Sequence, residues 1–230
     1  MTSPRRAARR VSLTDTQLPA GASGRNERGG PDQLARQPAV GDSDLATLAG
    51  IAAVVFPLVY FASELMEVAQ GNFSTARLAL AYLGEAGIVF TVIGLYAVQR
   101  PRIGRLGLYG ALAYAYSFVC FASTVVYALA AGSKNWTAVT DVFGGWLTLH
   151  GAIMIIGGLA FGLAVIKTAV LPRWTAACLM GVVFVAAAAG LSDTVRDVAA
   201  ALPQAAFIGM GVTVLRERWR IQKQRAIRTR

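Results

Sequence analysis

Glu85 and His150 are the two ionisable residues that fall deep inside apolar stretches of this 230-residue chain, and any intramembrane chemistry starts from them. An ionisable side chain inside a bilayer is expensive to keep and is a functional candidate by default. At a 1.5 Å rise per residue, each lies about 15 Å below the same surface, so they can meet if their helices are neighbours. A carboxylate against an imidazole makes either a proton relay, since His titrates near neutrality, or a buried structural hydrogen bond. Trp146, one turn before His150, is placed to stack on its ring. Tyr116 opens a moderately polar stripe that continues through Cys120, Ser123 and Tyr127 at helical spacing. Pro203-Gln204 falls at a similar depth in the last apolar stretch. Proline frees a carbonyl there, and a broken helix at mid-membrane would line a cavity.

A second group of charges lies nearer one surface. Glu64 and Glu67 share a helix face, with Tyr60 one turn below. Arg77 opens the next apolar stretch, Asp141 the fourth, and Asp193, Arg196 and Asp197 the sixth. Asp193 and Asp197 read as an N-cap and a first-turn acid on a helix dipole. Glu64 sits about a turn inside the surface, where a carboxylate needs a partner such as Arg77 or Arg196. The candidate catalytic residues are therefore Glu85, His150 and Glu64. The candidate substrate contacts are Trp146, Tyr116, Tyr60, Gln204, Arg77, Asp193 and Asp197.

These residues must be positioned by helices. Six apolar segments, at about 45–67, 75–99, 104–131, 139–166, 173–192 and 195–215, each reach the ~20 residues that cross a ~30 Å hydrocarbon core. The expected fold is all-α: a polytopic transmembrane bundle over 44–216, with a basic tail at 217–230. Residues 1–43, rich in Arg, Gly, Pro and Ser, are expected to be a disordered basic arm. Asp42, Ser43 and Asp44 are expected to cap the first helix. Similar ends at 94–100, 162–167 and 211–216, each opening on Gly and closing on Arg or Lys, suggest three repeated helical hairpins. Gly144, Gly151, Gly158 and Gly162, and the set Gly104, Gly107 and Gly110, are expected to let helix backbones approach.

Charge sets the orientation. The chain is 55% hydrophobic and 15% charged, against ~25% charged for a soluble domain. Of its 22 Lys and Arg residues, all but Arg77, Lys134 and Arg196 fall on one side of the six segments. The positive-inside rule makes that side cytoplasmic, with both termini there, in a plasma (inner) membrane. The net charge of +10 then serves orientation and contact with anionic headgroups of the bilayer rather than nucleic acid.

No metal or cofactor is expected. One histidine cannot build a His-rich site, and metalloprotease, nucleophile-elbow, phosphate-loop, haem and Asp-rich diphosphate–magnesium patterns do not occur. Cys120 and Cys178 differ in depth by roughly 15 Å, too far for a disulfide.

The stretches Leu83-Gly84-Glu85-Ala86-Gly87, Ile103-Gly104-Arg105-Leu106-Gly107, and His150-Gly151 through Pro172-Arg173-Trp174 resemble a diffuse class of small polytopic membrane proteins from high-GC bacteria, which implies no particular function. In size and scattered carboxylates the chain is also similar to integral membrane terpene cyclases, although the Trp-Glu pattern around the first acid does not occur. That resemblance implies Glu64, with Asp193 or Asp197, protonating an isoprenoid. Three classes stay open: a non-enzymatic accessory, regulatory or small-molecule-handling bundle; an intramembrane enzyme on an isoprenoid or lipidic substrate; and a proton-coupled transporter working as a homo-oligomer.

Overall fold

The computed structural model describes residues 44–183 and 193–228, the side chains of 193–200 excepted. The expected arm over 1–43, with Asp42 and Ser43 as caps, lies outside them. Six helices are described: α1 (Asp44–Gln70), α2 (Thr75–Val98), α3 (Gly104–Ala131), α4 (Trp136–Thr168), α5 (Arg173–Met180) and α6 (Asp193–Arg228). α1 to α4 are each long and apolar enough to cross a membrane. Of the segment expected over 173–192, α5 covers the first part, and residues 184–192 lie outside the described residues.

Local chemistry sets the helix ends. Ser74 caps α2 by accepting from the Arg77 N–H at 3.3 Å, and Asn135 caps α4 by accepting from the Ala138 N–H at 3.0 Å. Gly132, with φ 63°, ends α3 in the left-handed conformation that glycine adopts without strain. Pro172 stands immediately before α5, where a missing N–H costs nothing.

Each helix packs on its neighbours in sequence, and α6 returns to pack on α1, closing a ring. Side chains fill the middle. Tyr114 of α3 meets Phe207 of α6 at 5.8 Å between ring centroids, among Ile88, Val92, Phe161 and Met210. The outside is apolar: Leu48, Leu58, Phe90, Val119 and Ile156 are all exposed. A soluble monomer rarely shows so large an apolar surface.

The connections tie together at both ends. At one end the Phe73 N–H donates to the Lys134 carbonyl at 2.9 Å. At the other the Thr168 hydroxyl donates to Gln99 Oε1 at 3.4 Å, and Arg218 Nε donates to Thr47 Oγ1 at 3.4 Å. We call these the acidic and the basic end, after Glu64 and Glu67 at the first and Arg102, Arg105 and Lys167 at the second.

Several expectations are corrected. α6 runs unbroken through Pro203, so the proline does not open a gap in the backbone. The same helix continues to Arg228, so residues 217–228 of the basic C-terminal segment are helical. Gly158 and Gly162 do sit at close approaches, to Val182 and Tyr114 and to Met180, but Gly144 and Gly151 do not: a methyl group there would meet nothing within 4 Å. Gly104 is likewise uncrowded; its φ of +65° serves the turn into α3. Gly110 does meet a backbone, with an added Cβ 2.5 Å from the Phe161 nitrogen, and glycines outside the expected sets also sit at seams, among them Gly84, where an added Cβ would lie 2.6 Å from that of Tyr60, and Gly157, 2.6 Å from the Tyr114 nitrogen.

Candidate functional site

The acidic end gathers its charge around one arginine. Arg77, on the first turn of α2, has no exposed side-chain surface. Its guanidinium pairs with Glu67 and lies 3.6 Å from Glu64. Both acids come from the last two turns of α1, three residues apart on one face, so one guanidinium reaches both. The remaining faces of the guanidinium are aromatic: it stands 4.4 Å over the Phe73 ring and 5.5 Å from Trp136, which meet edge to face at 5.3 Å. Such contacts favour a desolvated cation. Arg77 Nε and Nη1 are buried without hydrogen-bond partners.

Tyr60, Glu64 and Gln204 line one cleft between α1 and α6, with an accessible volume of about 50 Å³. Gln204 is buried, and its Oε1 has no hydrogen-bond partner. Asp193 and Asp197 lie in the first turns of α6, but their side chains, and that of Arg196, fall outside the described residues.

Glu85 and His150 are not brought together. Their helices, α2 and α4, each pack on α3 and make no close backbone approach to one another along their lengths. Matched depth was legible in the sequence; the intervening helix was not. Glu85 is 4% exposed, and its Oε2 has no hydrogen-bond partner. His150 is 1% exposed, and its Nδ1 lies 2.8 Å from the Trp146 carbonyl oxygen. A carbonyl only accepts, so Nδ1 carries the proton. Trp146 and Tyr116 flank the imidazole at 4.5 and 5.3 Å between ring centroids, both with their outer faces exposed. The polar stripe of α3 thus turns toward α4: Tyr116 meets His150, and Tyr127 meets Phe143 edge to face at 4.9 Å. Ser123 donates to its own helix, at the Val119 carbonyl.

Sequence reasoning placed Glu67 on the right face but left it out of the site, and it missed Phe73 and Trp136 altogether. Their signal was present: an aromatic just before the Ser74 cap of α2 and another at the first residue of α4. Among the described residues no three His, Cys, Asp or Glu side chains gather to hold a metal, and Cys120 and Cys178 are both free thiols.

The described residues form an all-helical fold with an apolar exterior, and four of its helices are long and apolar enough to cross a membrane. In comparisons with known proteins, no family model, curated protein or solved structure matches the chain.

Proposed function

We propose that this chain is a six-span protein of the plasma (inner) membrane, with both termini cytoplasmic, and that it works as a non-enzymatic accessory or regulatory bundle with a polar cluster at its acidic end. The observation that carries the functional half is the containment of that cluster. Arg77 is wholly enclosed, and Glu64 and Glu67 are engaged with it. The adjoining cleft, at about 50 Å³, is far below the ~300 Å³ of a small-molecule site. Among the described residues that volume leaves little room for an isoprenoid against Glu64, which weighs against the cyclase-like reading.

Six spans are supported by where the ends meet. α4 finishes at the basic end, beside Gln99, and α6 reaches the same end, beside Thr47. A chain that leaves that end after α4 and returns to it in α6 would make two further crossings. Residues 173–192 are long enough for one, and residues 201–215, apolar but for Gln204 and Thr213, carry most of the other. Three successive hairpins would account for the ring. The excess of Arg and Lys at one end supports placing that end in the cytoplasm. Reporter fusions after Lys134 and after Arg230 should report opposite sides; the same side for both would refute the span count.

A second reading, a proton-coupled transporter assembled as a homo-oligomer, is favoured by Glu85, a buried carboxylate with one oxygen unpartnered.

A further inference from the structure

The basic end holds a cleft with an accessible volume of about 210 Å³ between the start of α3 and the end of α4. Arg102, Arg105 and Lys167 line it, all three exposed. None of the three makes a hydrogen bond or ion pair through its side chain among the described residues, in contrast to Arg77. The first turn of α3, Gly104 to Leu106, forms another wall, and no side chain caps that turn. Its backbone N–H groups and the positive end of the helix dipole therefore add to the three side-chain charges. Thr168, whose hydroxyl is already engaged with Gln99 and the Val165 carbonyl, fixes the far side.

The surface leading away from the cleft is apolar. Leu106, part of its wall, is followed along α3 by exposed Tyr109 and Leu112. Lys167 is preceded along α4 by exposed Leu163 and Leu159, at four-residue intervals on one face. Concentrated positive charge opening onto a lipid-facing apolar lane matches an amphiphile whose head is anionic and whose tail is hydrocarbon. It does not match a free ion, which would have no use for the lane.

We infer that this cleft binds the phosphate of an anionic phospholipid headgroup, with the acyl chains lying along α3 and α4. Arg102 and Arg105 supply planar donor forks to the phosphate oxygens, and Lys167 a third charge. The inference rests on the membrane reading above and names a specific site for headgroup contact. Its failure is separable from failure of the topology, because lipid retention by purified protein does not depend on which way the protein faced in the cell.

The test uses the purified full chain, delipidated and then equilibrated in mixed micelles carrying phosphatidylglycerol or phosphatidylcholine, with retained lipid counted by native mass spectrometry. The protein should retain phosphatidylglycerol in preference to phosphatidylcholine. The triple variant R102Q/R105Q/K167Q should lose about tenfold more affinity for phosphatidylglycerol than the charge-matched control R220Q/K223Q/R228Q. The single variant R105Q should lose part of that and keeps the test open if the triple variant is poorly folded. Equal losses in the cleft and control variants, or equal retention of the two lipids, would overturn the site. Displacement of phosphatidylglycerol by millimolar inorganic phosphate at constant ionic strength would reassign the cleft to free phosphate and overturn the lipid.

Discussion

At the acidic end, Arg77 is buried, held by Glu64 and Glu67 and enclosed by Phe73 and Trp136. At the basic end, Arg102, Arg105 and Lys167 stand exposed around an open cleft, and their side chains take no partner among the described residues. The same functional groups therefore do opposite work. A cation removed from water must be compensated by the protein, and the last turns of α1 supply that compensation. A cation at the headgroup level can leave its charge for solvent and lipid. The acidic end consequently reads as architecture, a clamp joining α1, α2 and the start of α4, and the basic end as a surface for something outside the protein.

This contrast can be broken most directly at Arg77. Arg77→Leu removes the buried cation that pairs with Glu67 and should destabilise the bundle by about 3–5 kcal/mol, read as a lower unfolding temperature or loss of monodisperse protein in detergent. R105Q removes the same formal charge at the other end and should stay within about 0.5 kcal/mol of the parent in that assay. Comparable losses from both would show that the two ends do not differ in this way.

Packing offers a smaller effect that sharpens the comparison within the helices. Gly84→Ala places a Cβ 2.6 Å from that of Tyr60, at the seam beneath the acidic cluster, and should cost about 1–3 kcal/mol through overpacking. Gly151→Ala meets nothing within 4 Å and should be neutral or stabilising, by up to ~1 kcal/mol from helix propensity. The reverse order in thermal unfolding would mean that the α1–α2 seam is misplaced.

The smallest effect is expected at Glu85. Its Oε2 has no hydrogen bond to lose, so Glu85→Gln should change stability by less than about 1 kcal/mol. A large loss would reveal an ionic partner for Glu85 and pull it into the clamp. Unchanged folding combined with loss of a proton flux in reconstituted vesicles would instead favour the transporter reading.

The reach of the sequence differs between elements for a physical reason. Helix existence, lengths and ends are local. Apolar runs and the proline turns make α1 to α4 legible without any partner in view. Depth is nearly as local, because it is a count of residues at a fixed rise. So the pairing of Arg77 with acids one loop away was within reach, as was the contact of Trp146 with His150 one turn along the same helix. Lateral position is not local. Glu85 and His150 share a depth, but α3 stands between their helices, and no residue count reports that. The crowding at Gly84 and Gly157, and the openness at Gly144 and Gly151, depend on which neighbour each face meets. The sequence by itself determined that the chain is helical, apolar and divided into an acidic and a basic end. Only the tertiary structure decided that the charge at one end is enclosed and at the other left open, because enclosure needs residues from three separate elements to converge on one side chain.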